Sequence, residues 1–192
     1  MDGYTKRTRE KMKNIEEATL SLLHLDLNDI KIADIAQKAA VSQVTIYNYY
    51  GSKEKLIETV ILQLIERQLQ RFEEIIETDL PFTEKLKLII SVKKLTARQS
   101  NIYKLAAQDE RFREWLSIYF HRTIPLFMIL IQQGRQSGHI RESVKDEALL
   151  FYLNLLERSV TRLDENFNIP GGFESISDGL TDLFLYGILK QN

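Results

Sequence analysis

Cysteine is missing from all 192 residues of the chain. Without it there is no disulfide framework, no thiol nucleophile and no thiolate metal ligand, and the composition suits a reducing cytoplasm. Histidine is scarce: His24, His121 and His139 are the only 3. A Cys–His pair cannot be built and a histidine cluster has too few members, so no metal and no cofactor are expected. No P-loop, Rossmann glycine pattern or strand-turn-helix nucleophile elbow occurs. The acidic pairs Glu16-Glu17 and Glu73-Glu74 read as solvated helix surface. Together these gaps predict that the chain is not an enzyme. Long apolar runs are missing too. The longest, Ile124 to Ile131, falls well short of the ~18 residues of a membrane span and contains Pro125. The opening MDGYTKRTREKMKN lacks the apolar core of a signal peptide. A cytoplasmic location and no membrane partner are therefore expected. Neither sign of charge dominates: 26 basic against 27 acidic residues leave a net charge of −1. A chain that bound nucleic acid over its whole surface would be strongly basic, so any such contact must be local.

What is present is helix. Apolar residues make up 44% of the chain, prolines number only 3, and the apolar positions recur at spacings of three and four. The periodicity predicts helices over Thr8–Leu25, Lys53 to Thr78, Phe82 to Thr96, a short one over Asn101–Gln108, then Arg111–Gln136 with a kink at Pro125, Val144 to Glu165, and Phe173–Lys190. No alternating strand pattern, internal repeat or low-complexity segment occurs. The fold class is all-α, with about nine helices once the two short ones below are added.

Those two lie in Ile32 to Leu56, IADIAQKAAVSQVTIYNYYGSKEKL. Ile32, Ile35, Ala36 and Ala39 give the first an apolar face. Val41-Ser42 breaks it, and Ser42 is a good N-cap for the second. Val44, Ile46, Tyr47 and Tyr50 are expected at buried or half-buried positions, with Gln43, Thr45, Asn48 and Tyr49 carrying hydrogen-bonding groups on the other face. Gly51-Ser52 stops the second helix, and Ser52 can cap the one beginning at Lys53. Two short helices crossing at a tight turn make a helix-turn-helix, whose second helix fits a DNA major groove. Gln43, Thr45 and Asn48 are the expected base readers, and Tyr49 a contact to a thymine methyl or a sugar. Residues 1 to 13 carry Lys6, Arg7, Arg9, Lys11 and Lys13 against Asp2 and Glu10, a local balance of 5 − 2 = +3. Lys6, Arg7 and Arg9 form a basic arm suited to phosphates.

The pattern Asp34-Ile35-Ala36, Ala39-Ala40-Val41-Ser42, Thr45-Ile46-Tyr47, Tyr49-Tyr50 and Lys53-Glu54-Lys55-Leu56 resembles the DNA-binding domain of the tetracycline-repressor (TetR) family of bacterial transcriptional regulators. The family usually has Gly where Ala40 stands, often Gly where Val44 stands, and a Ser or Thr cap where Lys31 stands. The resemblance implies that Tyr47 and Lys53 lie against DNA phosphates, and the capping Ser42 at the start of the second short helix is a further candidate DNA contact. It divides the chain into residues 1–52, a three-helix DNA-binding domain, and residues 53–192, a helical effector-binding and dimerisation domain. The expected activity is that of a dimeric repressor released from a palindromic double-stranded operator by a small molecule. A DNA-binding regulator without an effector and a helical scaffold or enzyme that does not bind DNA are the alternatives.

The second half supplies the remaining expectations. Tyr103, Phe112, Trp115, Tyr119, Phe127 and Tyr152 are aromatic candidates to line a largely apolar effector site, with His121 or Arg158 at its polar end. Leu149, Tyr152, Leu156, Leu180, Leu183, Phe184 and Gly187 on the last two helices are candidates for a homodimer surface, which the resemblance makes a four-helix bundle.

Overall fold

Helical periodicity becomes helix throughout the computed structural model, which describes residues 3–99, 109–161 and 172–190. Eight helices lie among the described residues: α1 Gly3–Leu20, α2 Ile32–Lys38, α3 Gln43–Tyr50, α4 Lys53–Glu77, α5 Phe82–Gln99, α6 Glu110–Gln136, α7 Asp146–Thr161 and α8 Gly172–Ile188. The described residues contain no named strand, and one isolated antiparallel bridge joins Ile140 and Leu189. The short helix expected over Asn101–Gln108 lies outside the described residues. None of the described helices is long and apolar enough to cross a membrane. The chain divides into two compact units, with the change inside α4 between Arg67 and Gln68. The sequence placed that change at Lys53, where α4 begins.

In the first unit, α1 ends five residues earlier than its apolar spacing suggests. The Thr19 hydroxyl donates to the Ile15 carbonyl (2.8 Å) and the Ser21 hydroxyl to the Ala18 carbonyl (2.7 Å). The backbone then tightens, with Leu22 N–H donating to Thr19 O (2.9 Å) and Leu23 N–H to Leu20 O (3.2 Å). Such i→i+3 bonds close a helix end. Leu22 and Leu23 remain buried in the turn, so the apolar pattern continues after the helix has stopped.

The turn between α2 and α3 has a specific geometry. Ala40 N–H donates to Gln37 O (3.2 Å) and Val41 N–H to Ala36 O (3.0 Å), the paired bonds of a Schellman motif. The motif needs a left-handed residue, and Ala40 takes φ 53°. A Cβ there costs roughly 1–2 kcal/mol. Ser42 then caps α3, its Oγ accepting from Thr45 N–H (3.1 Å). Ser52 caps α4 in the same way, through Lys55 N–H (3.1 Å).

α3 is fastened by its last residue. The buried Tyr50 hydroxyl donates to Glu16 Oε1 on α1 (3.0 Å), and Gln63 Nε2 of α4 donates to the same oxygen (3.1 Å). Burial pushes the Tyr50 phenol well above its ordinary range, and the Glu16 hydrogen bond and charge push it further. The Lys53 ammonium donates to the carbonyls of Leu27 (2.9 Å) and Ile30 (3.2 Å), tying the start of α4 to the loop ahead of α2.

The second unit has its own core, with Phe72, Ile76, Phe82, Leu130, Ile131, Ile140, Leu149 and Ile188 among its members. Gly134 of α6 lets Phe82 and Ile140 in, since a Cβ there would lie 2.6 Å from the Phe82 ring. Lys85 is buried, yet its ammonium reaches the Ile76 carbonyl at the end of α4 (2.6 Å) and Gln133 Oε1 (2.9 Å). A cation on the last carbonyls of a helix is favourable. Arg141 N–H donates to Ile188 O and Lys190 N–H to His139 O, both 2.9 Å, joining the turn after α6 to the end of α8.

Two consequences are measurable. Ala40→Gly removes the left-handed strain and is expected to raise unfolding free energy by about 0.5–1 kcal/mol, read as a higher urea midpoint with an unchanged slope. Tyr50 has a raised pKa in the folded state, so its contribution is fully present below the unfolded value of about 10 and is lost as pH rises through the folded value. Wild type should therefore lose stability more steeply above pH ~10 than Tyr50→Phe. That variant should be about 1–2 kcal/mol less stable near pH 7. Parallel alkaline limbs in urea titrations would rule this out.

Candidate nucleic-acid interface

α3 has two faces set by one row of contacts. Ile46 and Tyr50, one turn apart, are the buried row. The opposite side presents Gln43, Val44, Tyr47 and Asn48, all exposed. Two of these correct the sequence reading: Val44 is 65% exposed and Tyr47 48% exposed, where both were expected buried or half-buried. The helical angle explains Val44, because two residues at ~100° each place it about 200° from Ile46.

The remaining expected DNA contacts divide by how far their polar groups are already engaged. The Ser42 and Thr45 hydroxyls lie 2.8 Å apart and bond each other, while Ser42 also caps the helix. Tyr49 is half-buried beside the exposed face. Lys53 is half-buried, and its two carbonyl bonds hold the ammonium on the loop, a structural duty the sequence did not reveal. Lys6, Arg7 and Arg9 are exposed, but they sit on the first turns of α1 and not on an extended arm.

In the second unit the aromatic candidates separate. Tyr103 lies outside the described residues. Phe112 and Trp115 are buried, their rings 4.9 Å apart and edge-on. Tyr119 is half-buried, and desolvation raises its phenol pKa. Phe184 packs on both Phe127 (5.6 Å) and Tyr152 (5.4 Å, stacked). His121 and Arg158 are exposed. Nδ1 of His121 lies 3.4 Å from Oε1 of Glu157, a carboxylate only 7% exposed that also accepts from the Ser117 hydroxyl (2.7 Å). Glu157 escaped the sequence reading, although an acid four residues after Leu153 and eight after Leu149 falls on the apolar stripe of α7.

The candidates for a dimer surface change in the same way. Leu149 is 3% exposed and belongs to the protomer's own core, and Phe184 is held in the aromatic cluster. Tyr152, Leu156 and Leu180 are half-buried, whereas Leu183 and Gly187 are exposed. The apolar groups left outside are Leu150, Phe151 and Leu155 of α7 with Leu183 and Tyr186 of α8, of which Phe151, Leu183 and Tyr186 are 68–74% exposed. Among the described residues no group of three or more His, Cys, Asp or Glu side chains is placed to hold a metal.

Comparison with known proteins agrees with this geometry. Residues 26–60, which include α2, the turn and α3, match the model for bacterial regulatory proteins of the tetR family. The chain is 26% identical over 154 residues to a fatty acid metabolism regulator protein of Bacillus subtilis, covering 72% of this chain and 75% of that one. Among solved structures, a transcriptional regulator of Saccharomonospora viridis in complex with choline superposes with a TM-score of 0.66 at 16% identity, covering 95% of this chain and 100% of the other. FadR of Bacillus subtilis in complex with stearoyl-CoA gives 0.59 at 20% identity, covering 92% and 98%. At these identities the structures share the fold. Residues 26–60 thus match the helix-turn-helix of the tetR family of bacterial regulatory proteins, and the chain shares its all-helical fold with solved transcriptional regulators over nearly its whole length.

Proposed function

We propose that this regulator is a dimeric repressor which leaves a palindromic operator when a small, largely apolar molecule binds its second unit. The observation that carries the reading is the outer face of α3, where Gln43, Tyr47 and Asn48 stand exposed on a helix fixed from behind by Tyr50 and Glu16. Amide side chains can pair with adenine edges in the major groove. Lys6, Arg7 and Arg9 add charge that is sensitive to salt and not to sequence. Tyr47 is a phosphate contact, and Thr45, Tyr49, Ser42 and Lys53 keep the helix at its working depth or touch the backbone.

One helix of eight residues reads too few bases to be selective, and a two-fold dimer places two of them about one DNA turn apart, ~34–36 Å, or somewhat more. The exposed apolar side chains of α7 and α8 suit a second copy. Leu156, Leu180 and Gly187 border them, and burial of this face would remove a patch that a monomer would otherwise leave in water. Two structural relatives hold choline and stearoyl-CoA, and the Bacillus relative is a fatty acid metabolism regulator. Here the aromatic side chains of α6 and α7 favour an apolar ligand, and Glu157 with Ser117 and His121 favours a polar end group. The ligand would act by binding the state that does not fit DNA more tightly than the state that does.

Titration against a selected operator and a scrambled duplex at two salt concentrations tests the reading. Two protomers per site and a steep salt dependence on both duplexes are expected, with clear preference for the operator; no binding at low salt would remove the claim. Asn48→Ala should lose discrimination between the two duplexes, on the order of 1–3 kcal/mol for each half-site, while keeping its affinity for scrambled DNA. Equal loss on both would exclude Asn48 as a base reader. Phe151→Glu with Leu183→Glu should sediment as a folded monomer and bind operator weakly, whereas an unchanged dimer would move the interface elsewhere.

A further inference from the structure

The outer face of α3 carries one aliphatic group. Val44 is 65% exposed, with Gln43 beside it and Tyr47 and Asn48 one turn on. Val44 faces away from the Ile46 and Tyr50 row, so it contributes little to the core of its unit. Its isopropyl group has no donor or acceptor and cannot bond a phosphate or a base edge. The major groove offers an aliphatic side chain one apolar partner, the C5-methyl group of thymine.

We infer that Val44 is a specificity-determining residue that reads a thymine 5-methyl group in each operator half-site. The inference rests on the reading that α3 enters the major groove. Val44 is suited to the role by stiffness as well as by exposure. It is β-branched, with a single restricted torsion, so docking it on a methyl group costs little rotamer freedom. Its short reach demands close approach of the helix backbone to the base edges, which also brings Gln43 and Asn48 within range of adenine N6 and N7. The thymine in question therefore lies in or next to an A·T pair that an amide reads.

Deoxyuridine pairs like thymine and lacks only the methyl group, so it isolates the contact. A half-site obtained by in vitro selection is rebuilt with each thymine in turn replaced by deoxyuridine, and binding is measured by fluorescence anisotropy. Removing one methyl contact should weaken wild-type binding about fourfold per half-site, and on the order of fifteenfold when both half-sites are changed. One thymine per half-site should show this effect. Val44→Ala, which is fully compatible with an exposed helix position, should bind the thymine and deoxyuridine duplexes equally and resemble wild type on deoxyuridine. The inference is overturned if no thymine in the half-site is sensitive in wild type, or if Val44→Ala keeps the sensitivity. If wild type does not prefer the selected site over scrambled DNA, the major-groove reading fails and this assignment falls with it.

Discussion

The carboxylate of Glu16 is the constraint on which the DNA-facing helix depends. α3 has eight residues, far fewer than the ~12–15 at which an isolated helix becomes even marginal in water. It therefore exists only because neighbouring helices hold it. The buried Ile46 and Tyr50 supply apolar contact, but apolar contact is non-directional. The hydroxyl of Tyr50 and the amide of Gln63 converge on one oxygen of Glu16, and that fixes rotation as well as position. The base reading proposed for this helix would need both.

Around that point, local chemistry adjusts the ends of each element. Ser42 and Ser52 supply caps, and Lys53 bonds the loop carbonyls of Leu27 and Ile30. Ala40 holds the turn in a left-handed conformation that glycine would adopt without strain. The turn is kept although it is strained, because the Schellman bonds and the burial of Ala36 and Ala39 on its helical side outweigh the cost. The result is a stiff frame with a four-residue outer face.

The second unit is built on different terms. Its core is aliphatic and aromatic, and two ionisable groups are taken into it with partners. Lys85 bonds a helix-end carbonyl and Gln133, and Glu157 accepts from Ser117 and lies beside His121. A buried polar group without such partners would cost several kcal/mol. What this unit leaves outside is equally informative: Phe151, Leu183 and Tyr186 stand exposed on α7 and α8, the face proposed above for a second copy.

The sequence by itself determined the helices, the break at Val41-Ser42, the capping serines, the stop at Gly51 and the polar character of α3, because spacing and capping act over a few residues and are written locally. It also placed Tyr50 inside and Gln43 and Asn48 outside. Tertiary structure decided the rest. Val44 is exposed and Leu149 buried because the depth of a helical face depends on what packs against it. α1 stops at Leu20 while its apolar pattern runs on, since a turn can bury leucines as well as a helix can. Glu157 lies inside because α6 brings Ser117 and His121 to it from 40 and 36 positions away in the chain. Those pairings join residues far apart in sequence, and only the folded packing selects them.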